Sequence, residues 1–367
     1  MRIAFHVPRA SHLKGGFSGD RVQVPSLIAG LRERGHEVEI VSRVNVRNFW
    51  RGHIPLSRLV TEAISIRKEM KKFSPDAWLV YGPSTKNPDL FGWWQHPKRY
   101  VLWHTDPGGG KSMPKSWRRF FKLAHRHSLA RADQVAAHHP GSADGLRAFV
   151  APERLHLLSL AIKIWDWIPS REESRQRLGL SQEAPVVLCV GRLTLDDHER
   201  QRPGKTEMVV DLMAALESLP SDAVLVLVGD GPGRRRLEEE AAKHKPEGRV
   251  RLVGPVAHED MKWYYAACDL FAYPYRVDRP FLAILEAQSC GRPVVTMGTR
   301  SAELTVDSGR TGLLAKDLDE FQAHMAALTR DRTLCESMGR AGREYIQEFH
   351  SMQTRVKQIE GMLYGRT

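Results

Sequence analysis

Short apolar runs alternate with segments of helical periodicity from one end of the 367-residue chain to the other. Runs of Val, Ile, Leu and Ala bounded by turn residues predict strands at 2–7, 37–42, 77–81, 100–104, 134–137 and 155–158. Between them, apolar positions recur at helical spacing, predicting helices over 20–34, closed by Gly35, and over 57–72. The second half repeats the theme, with strands at 186–190, 224–228, 250–253, 270–272 and 293–296. Such alternation predicts parallel sheets sandwiched by helices, and hence two doubly wound α/β domains. The pattern breaks at 164–171, where Trp165-Asp-Trp-Ile-Pro169-Ser170 precedes a polar helix. The expected domains are therefore 1–165 and 166–350, with a last helix in 351–367. No short-period repeat or low-complexity tract interrupts them. Ligands of such sheets lie beyond the carboxyl ends of the strands, so two domains facing each other would form a cleft.

Composition narrows the class. A hydrophobic fraction of 42% and an aromatic fraction of 8% fit a soluble globular enzyme. No apolar run approaches the ~20 residues of a membrane span, and the first residues read directly as a strand, so a cytoplasmic protein without a signal peptide is expected. Cys189, Cys268, Cys290 and Cys335 are scattered without a CxxC pair and read as reduced core residues rather than a zinc site or disulfides. The net charge of +12 favours anionic partners: nucleic acid, anionic lipid or a phosphorylated substrate. The densest patch runs from Lys115 through Trp117, Arg118, Arg119, Phe120, Phe121 and Lys122. On a helix, Trp117, Phe120, Phe121 and Ala124 would share one face. This reads as a helix packed on a sheet by its aromatics, or as peripheral contact with the inner face of a membrane.

The richest segment is Asp278-Arg-Pro-Phe-Leu-Ala-Ile-Leu-Glu286-Ala-Gln-Ser-Cys-Gly291-Arg-Pro293. Leu282, Ile284, Leu285 and Ala287 have helical spacing, Gly291 closes the helix, and Pro293 opens a buried strand. Amides at such a helix start can face a diphosphate, and Glu286, one turn further in, suits a ribose diol. Taken alone, Glu286 reads equally as a solvated helix carboxylate and Asp278 as a turn residue.

This stretch resembles the E-x7-E region of the retaining glycosyltransferases of family 4, which have the GT-B fold of two Rossmann-like domains facing across a cleft. That family usually places Glu, Gly, an aromatic and Gly where this chain has Asp278, Arg279, Pro280 and Phe281. Asp is shorter, Pro280 has no amide hydrogen, and Phe281 is bulky where backbone otherwise approaches the donor. The base and sugar of the donor are therefore left open. The resemblance implies that Asp278 contacts the donor sugar, that amides around Phe281, Leu282 and Ala283 bind its phosphates, and that Glu286 binds the ribose. It also implies that the last helix crosses back to the first domain.

Other motifs follow in the family's order. Lys14-Gly15-Gly16-Phe-Ser-Gly19 lies between the first strand and helix; it reads as a plain glycine turn, or by resemblance as a loop in which Gly15 and Gly16 meet donor phosphates and Gly16 the acceptor. Arg34-Gly35-His36-Glu37-Val38 is likewise typical. Arg192, after the strand at 186–190, and Lys205, opening the next helix, match the two cations that clamp the donor pyrophosphate in place of a divalent metal. Either alone would default to a solvated surface residue. Physically, two fixed cations neutralise charge growing on a departing diphosphate. The spacing between them is longer than usual, and 195–202 reads as a surface insertion, or else Arg200 or Arg202 contacts ligand. Gly229 and Val256 sit in strand-end turns which, by resemblance, contribute to donor binding, the second lending backbone atoms to the base. His104, closing a strand, is implied to contact sugar or acceptor, and Asp106 the acceptor hydroxyl; a structural histidine is the competing reading.

Some motifs fail on inspection. Asp106-Pro-Gly-Gly-Gly-Lys111-Ser112 has Thr105 in place of a P-loop's first glycine, and Pro114 obstructs its helix. Asp317-Leu-Asp319 reads as helix capping rather than a metal motif. His125, His127, His138 and His139 lack partners at metal spacing. The expected activity is a metal-independent retaining glycosyl transfer from a nucleoside diphosphate sugar to a hydroxyl acceptor, with no cofactor. A sugar-nucleotide epimerase or sugar phosphorylase of the same fold, and a non-catalytic basic scaffold binding nucleic acid or anionic membrane, are the alternatives, nucleic acid being the weaker partner.

Overall fold

The computed structural model describes residues 1–9, 13, 19–42, 44–107, 113–195, 204–244 and 248–365, apart from the side chains of 19–21, 93 and 104. The chain divides into two units, Met1–Lys163 with Met352–Thr367, and Ile164–Ser351.

In the first unit, strands β1 (Arg2–His6), β2 (Glu37–Ser42), β3 (Ala77–Tyr81), β4 (Arg99–Thr105), β5 (Gln134–Ala137) and β6 (Leu155–Leu157) form one parallel sheet. Their order is β2-β1-β3-β4-β5-β6. Alternation along the strands sends Ile3, Phe5, Leu79, Tyr81 and Val101 to one layer, with the helices Gly19–Glu33 and Met352–Tyr364. Ala4, Trp78, Val80, Leu102 and Val135 face the other layer, with Leu56–Phe73, Lys115–Arg131 and Pro140–Leu146. The last helix is fixed tightly in this unit. A Cβ on Gly30 would come within 2.8 Å of Val356 Cγ2, while Arg34 Nε and His36 Nε2 bond Glu360 at 2.6 and 2.7 Å.

The basic helix Lys115–Arg131 buries Phe121, Ala124 and Leu129, and Trp117 packs edge-on against Phe49 at 4.7 Å between ring centres. Phe120 does not share that face as expected: it is 52% exposed and Leu123 is 68% exposed. One residue advances a helix by about 100°, so Phe120 and Phe121 cannot both point at the sheet.

The second unit's sheet comprises β7 (Val186–Val190), β8 (Val224–Val228), β9 (Val250–Gly254), β10 (Leu270–Tyr273), β11 (Val294–Met297) and β12 (Gly312–Ala315), all parallel, in the order β12-β11-β10-β7-β8-β9. Counted from β7, this is the doubly wound dinucleotide-fold order. Only β12 lacks a counterpart in the expected strands, because its apolar run, Leu313-Leu-Ala315 after Gly312, is too short to stand out. The helix Leu282–Ser289 ends as its sequence requires: Gly291 has φ +71°, and the amides of Gly291 and Arg292 bond the carbonyls of Gln288 and Ala287 at 2.8 and 3.0 Å. Asp317 caps the helix Leu318–Arg330, accepting from the Glu320 amide at 2.9 Å. All four cysteines are buried free thiols. No helix among the described residues is long and apolar enough to cross a membrane.

Candidate active site

In the second unit the order of strands reverses between β7 and β10, so the connections leaving their carboxyl ends diverge and open a crevice there. A small recess lies at that point, lined by Gly191 and Arg192 after β7, Lys205, and Tyr273, Pro274 and Tyr275 at the end of β10. Lys205 is the first residue of the helix Lys205–Ala215. Thr194 ties that helix start down. Its hydroxyl accepts from the Lys205 amide at 3.2 Å, and its carbonyl accepts from the Thr206 amide and hydroxyl at 3.1 and 2.9 Å.

The Lys205 ammonium sits among three aromatic rings, 5.4 Å from the centre of Tyr273, 5.3 Å from Tyr275 and 5.0 Å from Phe281. The rings support one another, Phe281 lying 4.7 Å from Tyr273 and 4.9 Å from Tyr275. Ring faces attract a cation without neutralising it. No carboxylate pairs with Lys205 among the described residues, and burial holds the ammonium below its ordinary pKa, against the pull of Cys189. Phe281 therefore resolves its own bulk: the ring folds onto the two tyrosines and leaves its backbone as the N-cap of Leu282–Ser289, with no side-chain cap. The first two amides of that helix, of Leu282 and Ala283, have no intrahelical acceptor, while that of Ile284 bonds the Phe281 carbonyl at 3.3 Å.

Glu286, one turn in, is held at both oxygens. Tyr265 donates its hydroxyl to Oε2 at 2.7 Å, and His258 Nε2 lies 3.0 Å from Oε1. The bond to Glu286 raises the His258 pKa above its ordinary value, against the effect of burial. Trp165 stacks on the His258 ring with centres 5.5 Å apart. Asp278 is also engaged, but away from the recess: Oδ1 accepts from the Ser301 amide at 2.8 Å and Oδ2 lies 3.5 Å from Arg300 Nε, so the carboxylate braces the first turn of the short helix Arg300–Glu303, whose N-cap is Thr299. Gly229 has φ +136°, and a Cβ there would lie 2.0 Å from the Gly191 carbonyl oxygen, which accounts for glycine by backbone packing alone. Val256 follows β9, partly buried against the core.

In the first unit, His104 is part of β4, with its side chain outside the described residues, as are Gly15 and Gly16. Asp106 follows β4, and its amide bonds the Pro83 carbonyl at 3.2 Å. Burial pushes the His125 imidazole down to about 4, against the charge of Asp106 nearby. Arg200 and Arg202 lie outside the described residues. No cluster of metal-ligating side chains occurs among the described residues. The structure thus brings Arg192, Lys205 and Phe281 together, with Glu286 one turn along the adjoining helix. Sequence reasoning missed Tyr273, Tyr275, His258, Tyr265 and Trp165, of which only the Tyr-Pro-Tyr turn after an apolar strand carried a local signal.

Residues 170–345 match the family described as Glycosyl transferases group 1. The matched segment lies within the second unit and holds the recess, cations and carboxylate just described. A GDP-mannose-dependent alpha-(1-6)-phosphatidylinositol monomannoside mannosyltransferase of Mycolicibacterium smegmatis is 29% identical over 206 residues, covering 54% of this chain and 52% of that protein. The chain spans about half the length of the curated relatives it matches. Among solved structures, Alr3699/HepE of Anabaena in complex with UDP is similar over 100% of both chains at a TM-score of 0.74 and 19% identity. Sucrose-phosphate synthase from Thermosynechococcus elongatus is similar over the same extent at 0.72 and 20% identity. At such identities the likeness speaks for the fold: the chain has the GT-B fold of two Rossmann-like α/β domains.

Proposed function

We propose that this chain transfers a glycosyl residue from a nucleoside diphosphate sugar to a hydroxyl acceptor, with retention of configuration and without a metal ion. The observation that carries the reading is Lys205, a partly buried ammonium with no carboxylate beside it among the described residues, sharing its recess with Arg192. A buried charge is costly without a counter-charge, and a diphosphate supplies one. As the bond from the anomeric carbon to the diphosphate breaks, negative charge grows on the leaving oxygen. Lys205 and Arg192 stabilise it there, and the free amides at the start of Leu282–Ser289 add to that field. The departing phosphate then takes the acceptor hydroxyl's proton on the face where the new bond forms, which preserves configuration. Glu286 receives the ribose diol. Asp278, tied to the Ser301 amide, shapes the loop before Phe281. His104 and Asp106 are assigned to the acceptor.

Relatives named for GDP-mannose and for UDP set the panel that tests this. Thermal shifts are measured with UDP, GDP, ADP and dTDP. One of them at about 100 times its dissociation constant stabilises the protein by about 2.7 kcal/mol, and failure of all four ends the donor reading. Incubation of a donor sugar without acceptor separates the epimerase and phosphorylase alternatives, since a transferase leaves most donor intact.

A second partner is proposed for the first unit: an anionic membrane surface. Leu56, Val60 and Ile64 form an exposed row on one helix, followed on the same side by Arg67 and Lys71. On the same layer, exposed Phe120 and Leu123 stand beside Lys115, Arg119 and Lys122, in a helix without Asp or Glu. Apolar area and cations on one side favour anionic lipid. Co-sedimentation with phosphatidylglycerol vesicles, falling with salt and lost in the double variant Ile64→Asp, Leu123→Asp, is the expected result. Equal sedimentation of the variant refutes it.

A further inference from the structure

Glu286 meets donors from other elements on both of its oxygens. Tyr265, fully buried on the helix Met261–Ala267, reaches Oε2 at 2.7 Å, and His258, in the turn after β9, reaches Oε1 at 3.0 Å. A carboxylate can only accept, so both partners donate, and His258 carries its hydrogen on Nε2. Behind them stands one indole. Trp165 stacks on His258 at 5.5 Å and 25°, and contacts Tyr265 at 5.8 Å. Trp165 lies in the segment by which the chain enters the second unit, which begins at Ile164.

A free glutamate rotates about three bonds; one with a donor fixed on each oxygen has its carboxylate plane set before ligand arrives, and the entropy of ordering it is lost in folding rather than in binding. Each oxygen keeps lone pairs for a further hydrogen bond. We infer that His258, Tyr265 and Trp165 are positioning residues that hold the Glu286 carboxylate in the plane a vicinal diol requires, and so set the preference of this site for ribose. The inference rests on the ribose role proposed for Glu286.

Calorimetric affinities for UDP and GDP are compared with those for their 2′,3′-dideoxy counterparts. In the native protein the nucleotide that binds prefers the diol by about tenfold or more, the worth of hydrogen bonds to a charged acceptor. His258→Ala is expected to lower that preference several-fold while leaving the dideoxy affinity unchanged, and His258→Gln, whose amide can donate in place of Nε2, to restore it. Tyr265→Phe, which keeps the buried ring, is expected to lower it as well. Diol preference at the native level in His258→Ala and Tyr265→Phe overturns the inference, provided Glu286→Ala has lost it. If Glu286→Ala keeps the preference, the ribose role falls first and the inference with it. If both affinities of His258→Ala fall together, the residue merely supports the fold and the inference is likewise overturned.

Discussion

The two sheets are alike in size and strand direction, yet they treat buried charge in opposite ways. Near the end of β1 in the first unit, His6 Nδ1 lies 2.8 Å from the Asp89 carboxylate, both side chains fully buried. Asp89 also accepts from Trp78 Nε1, the Tyr100 hydroxyl and the amides of Phe91 and Gly92. These donors hold its pKa below the ordinary value despite burial, which alone would raise it. At the corresponding edge of the second unit, Lys205 meets aromatic faces and, among the described residues, no carboxylate. A charge saturated by its own fold contributes structure, whereas a charge left unanswered is available to a ligand.

This contrast can be broken experimentally. The largest effect is expected for Asp89→Ala, which strands a histidine and several buried donors. Removing one partner of a buried pair costs about 3–5 kcal/mol, read as a lowered midpoint in denaturant unfolding. A loss under about 1 kcal/mol, the worth of an ordinary hydrogen bond, would deny Asp89 its structural role. Lys205→Met keeps length and removes only charge. Turnover should fall about 10²–10³-fold, the cost of deleting one group that stabilises a developing anion, while the melting temperature holds or rises. Native turnover, or a large drop in melting temperature, would show Lys205 to be structural.

Acid should act on the first unit. The His125 pKa is about 4 in the fold against 6.5 unfolded, with burial as the leading cause. Between these values the unfolded chain holds the extra proton, so stability is lost as pH falls from about 6.5 towards 4 and levels off below, by roughly 3 kcal/mol in full. His125→Leu should flatten that part of the profile in denaturant melts at pH 7 and 5, and an unchanged slope would assign acid sensitivity elsewhere. The smallest effect belongs to Asp278→Ala: losing its bond to the Ser301 amide should cost about 1.5–3 kcal/mol at most, with kcat within a few-fold of native. A hundredfold fall in kcat would return it to the reacting sugar.

The uneven legibility of the chain has a physical cause. Strands such as 77–81 and 224–228 declare themselves because a central parallel strand is apolar throughout, and Gly291 declares a left-handed turn that other residues resist. Arg192 and Lys205 were readable because strand ends and helix starts are where α/β sheets place ligands. Their aromatic neighbours were not, since Tyr273 and Phe281 meet Lys205 through the pairing of β10 with β7, which no local spacing encodes. His258 is linked to Glu286 in the same non-local way. Asp278 shows the converse: its spacing from Glu286 suggested chemistry, and in the fold one oxygen accepts from the Ser301 amide while the other faces the Arg300 guanidinium.

The return of Met352–Tyr364 to the first sheet sets an order on biosynthesis. The second unit is a single uninterrupted stretch, complete once Ser351 has been made, whereas the first waits for Met352–Tyr364 before Glu360 can reach Arg34 and His36. A nascent chain would thus close its later half while its earlier half still lacked a helix, leaving the groove beside Gly30 as the place where a stalled ribosome exposes apolar surface.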